Sequence, residues 1–466
     1  MNIYKLITFG ITGLAMAGLA ACSGNSGNIL DTIPADASAV IMVNAEKLCA
    51  ESGITFSSDG PVYADGIREA LPESVERSVQ MASRLDSHGL ADMEKVAVVA
   101  DKNGNSFVTF AINEFESFRE ATDITWGDNE EGMHVGTTQD GVSVVASDAQ
   151  VWITDVSSGA AGEVKNLLEK SRSNSIGALE NLASLLSADN MINAVVLRYP
   201  DKAPATKETS LQAEWITGTM NVADGSEIIV EATVVKGDGA PVAVKGMQPF
   251  NQALLAYIPA NPMLAAGAGL TSDFDWSFLG KMAMLTGNFQ LQAAISMAIP
   301  YLSAIDGSVM LGVTPLTADA LDNPDPSNMA VTLMANMPQE KVNELTGMVR
   351  NLCFTNGIPT TTDPRTGILT IDSFGLRAYV GNVDGCFAMS TQPFSTGNDN
   401  SLAPVFTGKN GAAVLSLPTL RLIDRNCPDW GLDMKLQVES ERSVLKITLP
   451  RAPKPVLGAI ITAVKG

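Results

Sequence analysis

The feature that most constrains the fold is an internal repeat, in which similar segments recur in the same order roughly 213 to 234 residues apart. Repeats of this kind fix domain organisation before any local motif does. Ile33-Pro34-Ala35-Asp36 opens the first half and Ile258-Pro259-Ala260-Asn261 the second, each followed by an apolar run, Val40 to Val43 and Leu264 to Leu270. Val96 to Ala100 then matches Val309 to Val313, and Phe107 to Asn113 matches Ala330 to Asn336, with an acidic, helix-forming segment after each of the latter pair. Val142 to Ser147 parallels Leu376 to Gly381, and Asn193 to Leu197 parallels Gly411 to Leu415. Met220 to Val222 with Ile228 to Val235 parallels Leu436 to Val438 with Val444 to Leu449. The spacing lengthens between the second and third anchors, which places an insertion at Thr314 to Asn328. A single core seldom grows past about 250 to 300 residues, so a chain of 466 residues is expected to hold two domains, 29–245 and 246–466, as tandem copies.

Within each copy the order reads strand, helices, strand, strand, short helix, hairpin, helix, strand, hairpin. The hairpin arms alternate as half-buried strands do: Met434, Leu436 and Val438 fall on one face, Lys435, Gln437 and Glu439 on the other. Gly162 to Ser171 carries Val164, Leu167 and Leu168 at helical spacing, with Glu163, Lys165 and Glu169 pointing elsewhere. The expected class is α+β: two weakly similar copies of a mainly antiparallel sheet with helices on one face.

Residues 1–21 read as a lipoprotein signal peptide, with one positive charge at Lys5 and an apolar run from Leu6 to Ala21. That run is shorter than the roughly 20 residues a spanning helix needs and ends in small residues. Leu19-Ala20-Ala21-Cys22 resembles a lipoprotein signal-peptidase box, so Cys22 is the expected lipidation site and first mature residue. Residues 22–28 form a flexible polar tether without an acidic run. These features imply a membrane partner reached through lipid on Cys22, in the bacterial cell envelope at the outer membrane. The absence of an acidic tag leans toward a periplasm-facing protein rather than the cell surface.

Thirty basic residues face fifty-one acidic ones, a formal charge of −21. Removing residues 1–21 takes away Lys5 alone. So acidic a surface repels phosphate backbones and anionic headgroups, which argues against nucleic acid. Of the remaining cysteines, Cys49, Cys353, Cys386 and Cys427, three lie in the last quarter. An exported chain can oxidise them, so a disulfide among Cys353, Cys386 and Cys427 stands as one expectation and buried free thiols as the other. No CxxC occurs.

The opening Ile33-Pro34-Ala35-Asp36-Ala37-Ser38-Ala39-Val40, followed by Val43-Asn44 and Glu46-Lys47-Leu48, resembles a family of uncharacterised bacterial lipoproteins whose mature regions begin with such a strand after a lipid-bearing cysteine. The resemblance implies an anchored, two-part α+β body and brings no reaction, cofactor or catalytic residue. The second copy departs from it with Asn261-Pro262 in place of Asp36-Ala37.

The search for chemistry gives little. His88 and His134 are the two histidines, too few for a histidine-rich metal site. They read as a helix C-terminal residue and a strand surface residue. Ser443 and Lys446 form an SxxK within an expected strand, where residues three apart point to opposite faces. Asp322 to Asn328 and Asn398-Asp399-Asn400 are rich in oxygen ligands but read as solvated turns, lacking the glycine and late glutamate of an EF-hand. No catalytic, cofactor-binding or metal residue is assigned, and no cofactor is expected. The leading expectation is a non-catalytic binding or scaffolding lipoprotein whose partner is an unknown envelope protein or glycan. The alternatives are a carboxylate-based envelope hydrolase acting on glycan or peptide, and a carrier of apolar ligands lined by Met282, Met284 and Met297.

Overall fold

The computed structural model describes residues 28–465 apart from 58, 88–93, 200–201, 205, 278, 280–288, 318–319, 321–326, 374, 398–400 and 424–425. The chain is α+β with antiparallel sheet, and it divides into two compact units. One comprises the chain through Val242 together with Ala452–Gly466, the other Ala243–Arg451.

The sheet of the first unit is built from β1 (Ala39–Val43), β2 (Val96–Ala100), β3 (Ser106–Ala111), β4 (Thr125–Glu130), β5 (Met133–Thr137), β6 (Ser143–Ala146), β7 (Gln150–Thr154), β8 (Ile192–Leu197), β9 (Glu214–Ala223) and β10 (Glu227–Lys236). Hydrogen bonding orders them β10-β9-β8-β1-β2-β3-β7-β6-β5-β4, every pair antiparallel. Helices α1 (Glu73–Ser87), α2 (Phe115–Ala121), α3 (Ala160–Ser173) and α4 (Glu180–Leu186) accompany it.

Those helices lie on both faces, which corrects the expectation of one covered face. Strand β2 shows why: Val96, Ala97, Val98, Val99 and Ala100 are all buried, so neither face can be left to water. Ala97 and Val99 join a core with Val40, Val145, Trp152, Val195, the segment Ile29–Thr32, α3 and α4. Val96, Val98 and Ala100 join the opposite core with Leu85 of α1 and Phe115 and Phe118 of α2. In α3, Val164 and Leu167 face the sheet, each burial contributing roughly 1.5–3 kcal/mol. Glu163 in its first turn and Lys170 and Arg172 in its last suit the helix dipole.

The second unit contains β11 (Leu264–Leu270), β12 (Gly307–Pro315), β13 (Met329–Asn336), β14 (Thr360–Thr362), β15 (Leu369–Ser373), β16 (Leu376–Val383), β17 (Cys386–Ser390), β18 (Gly411–Leu417), β19 (Leu432–Val438) and β20 (Arg442–Thr448). Their order is β20-β19-β18-β11-β12-β13-β17-β16-β15-β14, again antiparallel throughout. Its helices are α5 (Phe289–Leu302), α6 (Gln339–Thr355) and α7 (Ala403–Phe406). One face buries Met310, Met334, Cys386 and Ala388 with Leu254, Leu255 and Phe406. The other buries Ala335, Val380 and Phe387 against Val342 and Leu345 of α6.

Residues 452–466, expected at the end of the second domain, pack with the first unit instead. Their helix α8 (Val456–Lys465) lies against the helices Ala45–Glu51 and Ile67–Ala70. Its first amide, Val456 N, donates to Gly225 O at 3.0 Å, and Lys454 Nζ donates to Asp224 O at 2.9 Å. Among the described residues no helix is long and apolar enough to cross a membrane. Much of the expected insertion at Thr314 to Asn328 lies outside the described residues.

Candidate functional site: an open cavity over the β15–β16 hairpin

The site is best reached through a row of side chains crossing four strands. In the first unit Thr109 of β3 stands opposite Trp152 of β7, Trp152 opposite Val145 of β6, and Val145 opposite Val135 of β5. In the second unit the strands in the same places in the order give Thr332, Ser390, Tyr379 and Thr370. One step along, Thr137 pairs with Ser143 in the first unit, and Asp372 pairs with Arg377 in the second.

The two rows differ in what covers them. Residues following β7 form α3, which packs on β6 and on Ile29–Thr32 and seals Val145 and Trp152 from water. Among the described residues that follow β17 the helix is the four-residue α7, whose Phe406 packs on Phe250 with ring centroids 5.2 Å apart, over β18. Those residues leave the β15–β16 hairpin open on this face. It lines a cavity of about 670 Å³ with Asp372, Arg377, Tyr379, Thr391, Gln392 and Pro393. That size falls within the range of small-ligand sites.

Arg377 Nε donates to Asp372 Oδ1 at 2.8 Å, and both side chains are more than half exposed. Asp372 first, and the Tyr379 hydroxyl next, hold the Arg377 guanidinium above its ordinary pKa. The Tyr379 ring is half-buried beside them. Beside Tyr379 in the row, the buried Ser390 Oγ lies 3.2 Å from Thr332 Oγ1 and accepts from Gln392 N at 3.1 Å. The cavity thus offers an aromatic face, a neutralised ion pair and an amide side chain.

A second group surrounds Tyr257, whose hydroxyl donates to Asp384 Oδ2 at 2.5 Å. Asn336 Nδ2 donates to Cys386 Sγ at 2.9 Å nearby. Burial, and then Asp384, push the Tyr257 hydroxyl up to about 12 and the Cys386 thiol up to about 11. Both groups stay protonated at neutral pH, so neither is an activated nucleophile. A third feature is a shallow groove of about 490 Å³ on α6, lined by Tyr301, Glu344, Met348 and Leu352.

The resolved carboxylate shifts all run downward. Glu131, Glu344 and Glu439 are lowered first by hydrogen bonds from Lys165, Lys341 and Lys409, Asp363 by the Arg365 amide, and Asp429 by Thr419. Each is held as the anion, the opposite of what a general acid requires.

The residues singled out in the sequence fall elsewhere. Cys22, His88, Met282, Met284, Asp322 and Asn398-Asp399-Asn400 lie outside the described residues, and Met297 is placed only by its helical backbone. His134 stacks on the Phe115 ring, 3.6 Å between centroids, with Nε2 3.9 Å from Asp148 Oδ1. Asp36 pairs with Lys102 Nζ at 3.1 Å, while Ile33, Ala35 and Ala37 around it are buried. Ser443 and Lys446 both lie in β20, three residues apart and so on opposite faces.

Cys353, Cys386 and Cys427 are free thiols, as is Cys49, the second of the two arrangements the sequence left open. Cys386 points into the core beneath Phe406, whereas Cys353 sits on α6, which packs on the other face. They belong to opposite faces of the sheet. Tyr379, Arg377 and Asp372 were not singled out beforehand. Their signal was the difference between Val142 to Ser147 and its match Leu376 to Gly381, where Val145 gives way to Tyr379 and Ser143 to Arg377. Comparison of the chain with protein-family models, curated proteins and solved structures gave no match.

Proposed function

We propose that this chain is a lipid-anchored, non-catalytic binding protein of the bacterial cell envelope, formed from two tandem copies of one α+β fold, of which the second carries the ligand site. The anchoring rests on Leu19-Ala20-Ala21-Cys22 and the apolar run before it. The lack of an acidic run after Cys22 leans toward the periplasm-facing side of the outer membrane, and the resemblance to uncharacterised bacterial lipoproteins supports an anchored two-part body. Duplication is supported by the same strand order in both units. The helices also recur on corresponding faces: α2 follows β3, and α6 follows β13, each covering the face away from the Ile-Pro segment.

The observation that carries the binding reading is the cavity over β15–β16. It presents an open polar face, with Tyr379 and Arg377 at positions that the match of Leu376 to Gly381 with Val142 to Ser147 sets against Val145 and Ser143. Loss of a covering helix would expose hydrophobic core, and the side chains here have changed to suit water and a polar ligand. The lowered carboxylates weigh against the hydrolase alternative. The α6 groove favours an apolar carrier only weakly, since Glu344 and Tyr301 share a hydrogen bond across it.

The test is gentle crosslinking of the lipidated protein in its native envelope, followed by purification. A specific envelope ligand is expected, lost when Arg377 and Tyr379 are both replaced by alanine. A protein that emerges unpartnered, or a ligand indifferent to that double substitution, would contradict the reading.

A further inference from the structure

The chemistry of the β15–β16 cavity also selects among ligands. Asp372 and Arg377 are bonded to each other, so the site carries no net charge of its own. The chain around it is strongly acidic, at −21 overall, which disfavours an anionic guest. A zwitterion such as a free amino acid would have to break the pair, placing its carboxylate on Arg377 and its ammonium on Asp372. An apolar guest would strip water from a carboxylate and a guanidinium and return nothing.

A polyol meets none of these objections. The Arg377–Asp372 bond uses Nε and Oδ1, leaving donors on the guanidinium and acceptor capacity on the carboxylate. A hydroxyl group both donates and accepts, so two neighbouring hydroxyls can bridge the intact pair. The half-buried Tyr379 ring offers a flat apolar face for the C–H face of a sugar ring, and the Gln392 amide adds a donor and an acceptor at the rim. Resting on the binding reading above, we infer that the cavity over β15–β16 is a subsite for a neutral saccharide, stacked on Tyr379 and hydrogen-bonded through two hydroxyls to the Asp372–Arg377 pair. In the first unit α3 packs with the side chains of Val145 and Trp152 in one buried core.

The test uses the full chain in a detergent without a sugar headgroup, with saturation-transfer NMR for detection and calorimetry for affinity. The probes are neutral oligosaccharides (chitobiose, maltotriose, mannobiose, cellobiose), an acidic one (digalacturonate) and a zwitterionic dipeptide (glycyl-phenylalanine). At least one neutral saccharide is expected to bind. Tyr379→Ala and Arg377→Ala should each weaken it tenfold or more, Tyr379→Phe less than threefold, and Lys435→Ala not at all. The Tyr379→Phe protein, retaining its ring, separates loss of contact from loss of fold. Binding of digalacturonate or the dipeptide instead, sensitive to Arg377→Ala, would overturn the saccharide assignment and leave the binding reading standing. Neutral binding indifferent to both alanine substitutions would place the sugar elsewhere and overturn the subsite. No binding by any probe, with no ligand captured from the native envelope, would overturn both.

Discussion

Trp152 and Tyr379 lie in one cross-strand row of their respective units, one column apart, and truncating each to alanine should have very different consequences. Trp152 is 2% exposed, sealed under α3, and meets Phe107 edge-on with ring centroids 6.2 Å apart. Its removal loses transfer free energy and leaves a cavity that the close-packed sheet cannot collapse, about 3–5 kcal/mol including the aromatic contact. Tyr379 is half-buried at a cavity already open to solvent. Its removal creates no new void, so only partial transfer free energy is lost, about 1 kcal/mol. Urea titration read by hydrogen-exchange mass spectrometry reports the two units separately, through amides of β6 and β7 against those of β16 and β17. The expected result is a large loss of protection in the first unit for Trp152→Ala and a small loss in the second for Tyr379→Ala. Equal losses would show that the second face is sealed as well, and the reasoning that opens it would be wrong.

Replacing Cys22 by alanine should release the protein from membranes on fractionation, and retention in the membrane pellet would contradict the anchor. Glu131, Asp363, Asp429 and Glu439 have folded pKa values below their unperturbed 4.5 or 3.8. Their stabilisation is therefore present above those values and is lost as pH falls through the lower folded ones. Thermal midpoints should be level near neutrality and decline below about pH 4, and a midpoint that rises on acidification would reverse that sign. Burial raises the Cys49 thiol to about 12 and, with Asp384, the Cys386 thiol to about 11. At pH 8 Cys386 should react with iodoacetamide roughly two, and Cys49 roughly three, orders of magnitude more slowly than an exposed thiol, whose pKa lies near 8.5, judged by mass spectrometry. Labelling of Cys386 at the rate of glutathione would refute its burial.

Much of the strand order was legible because each anchor is a contiguous apolar run, and contiguity survives in sequence. Val96 to Ala100 even announced two covered faces, since five consecutive buried residues cannot alternate with water, but the hairpin arms around Met434 suggested the simpler one-sided layer. The state of the cysteines stayed open because sequence proximity says nothing about faces: Cys353 and Cys386 lie on opposite sides of one sheet. The partner of Val456–Lys465 was not readable at all, for an apolar helix records that it packs but not against what. The cavity was hidden for a subtler reason. Val142 to Ser147 and Leu376 to Gly381 were matched for their likeness, whereas Ser143 against Arg377 and Val145 against Tyr379 mark a change of environment. That change makes sense once α3 is seen over one hairpin, while the described residues after β17 place α7 over β18 instead.

That the second unit holds the ligand is tested most directly by a photo-crosslinking side chain placed at Pro393, an exposed residue on the cavity rim, in cells making the lipidated protein. A parallel probe at exposed Glu116 of α2 is the control. Irradiation should give a discrete adduct at 393, absent at 116 and abolished by Arg377→Ala. Equal adducts at both positions, or none at 393, would contradict it.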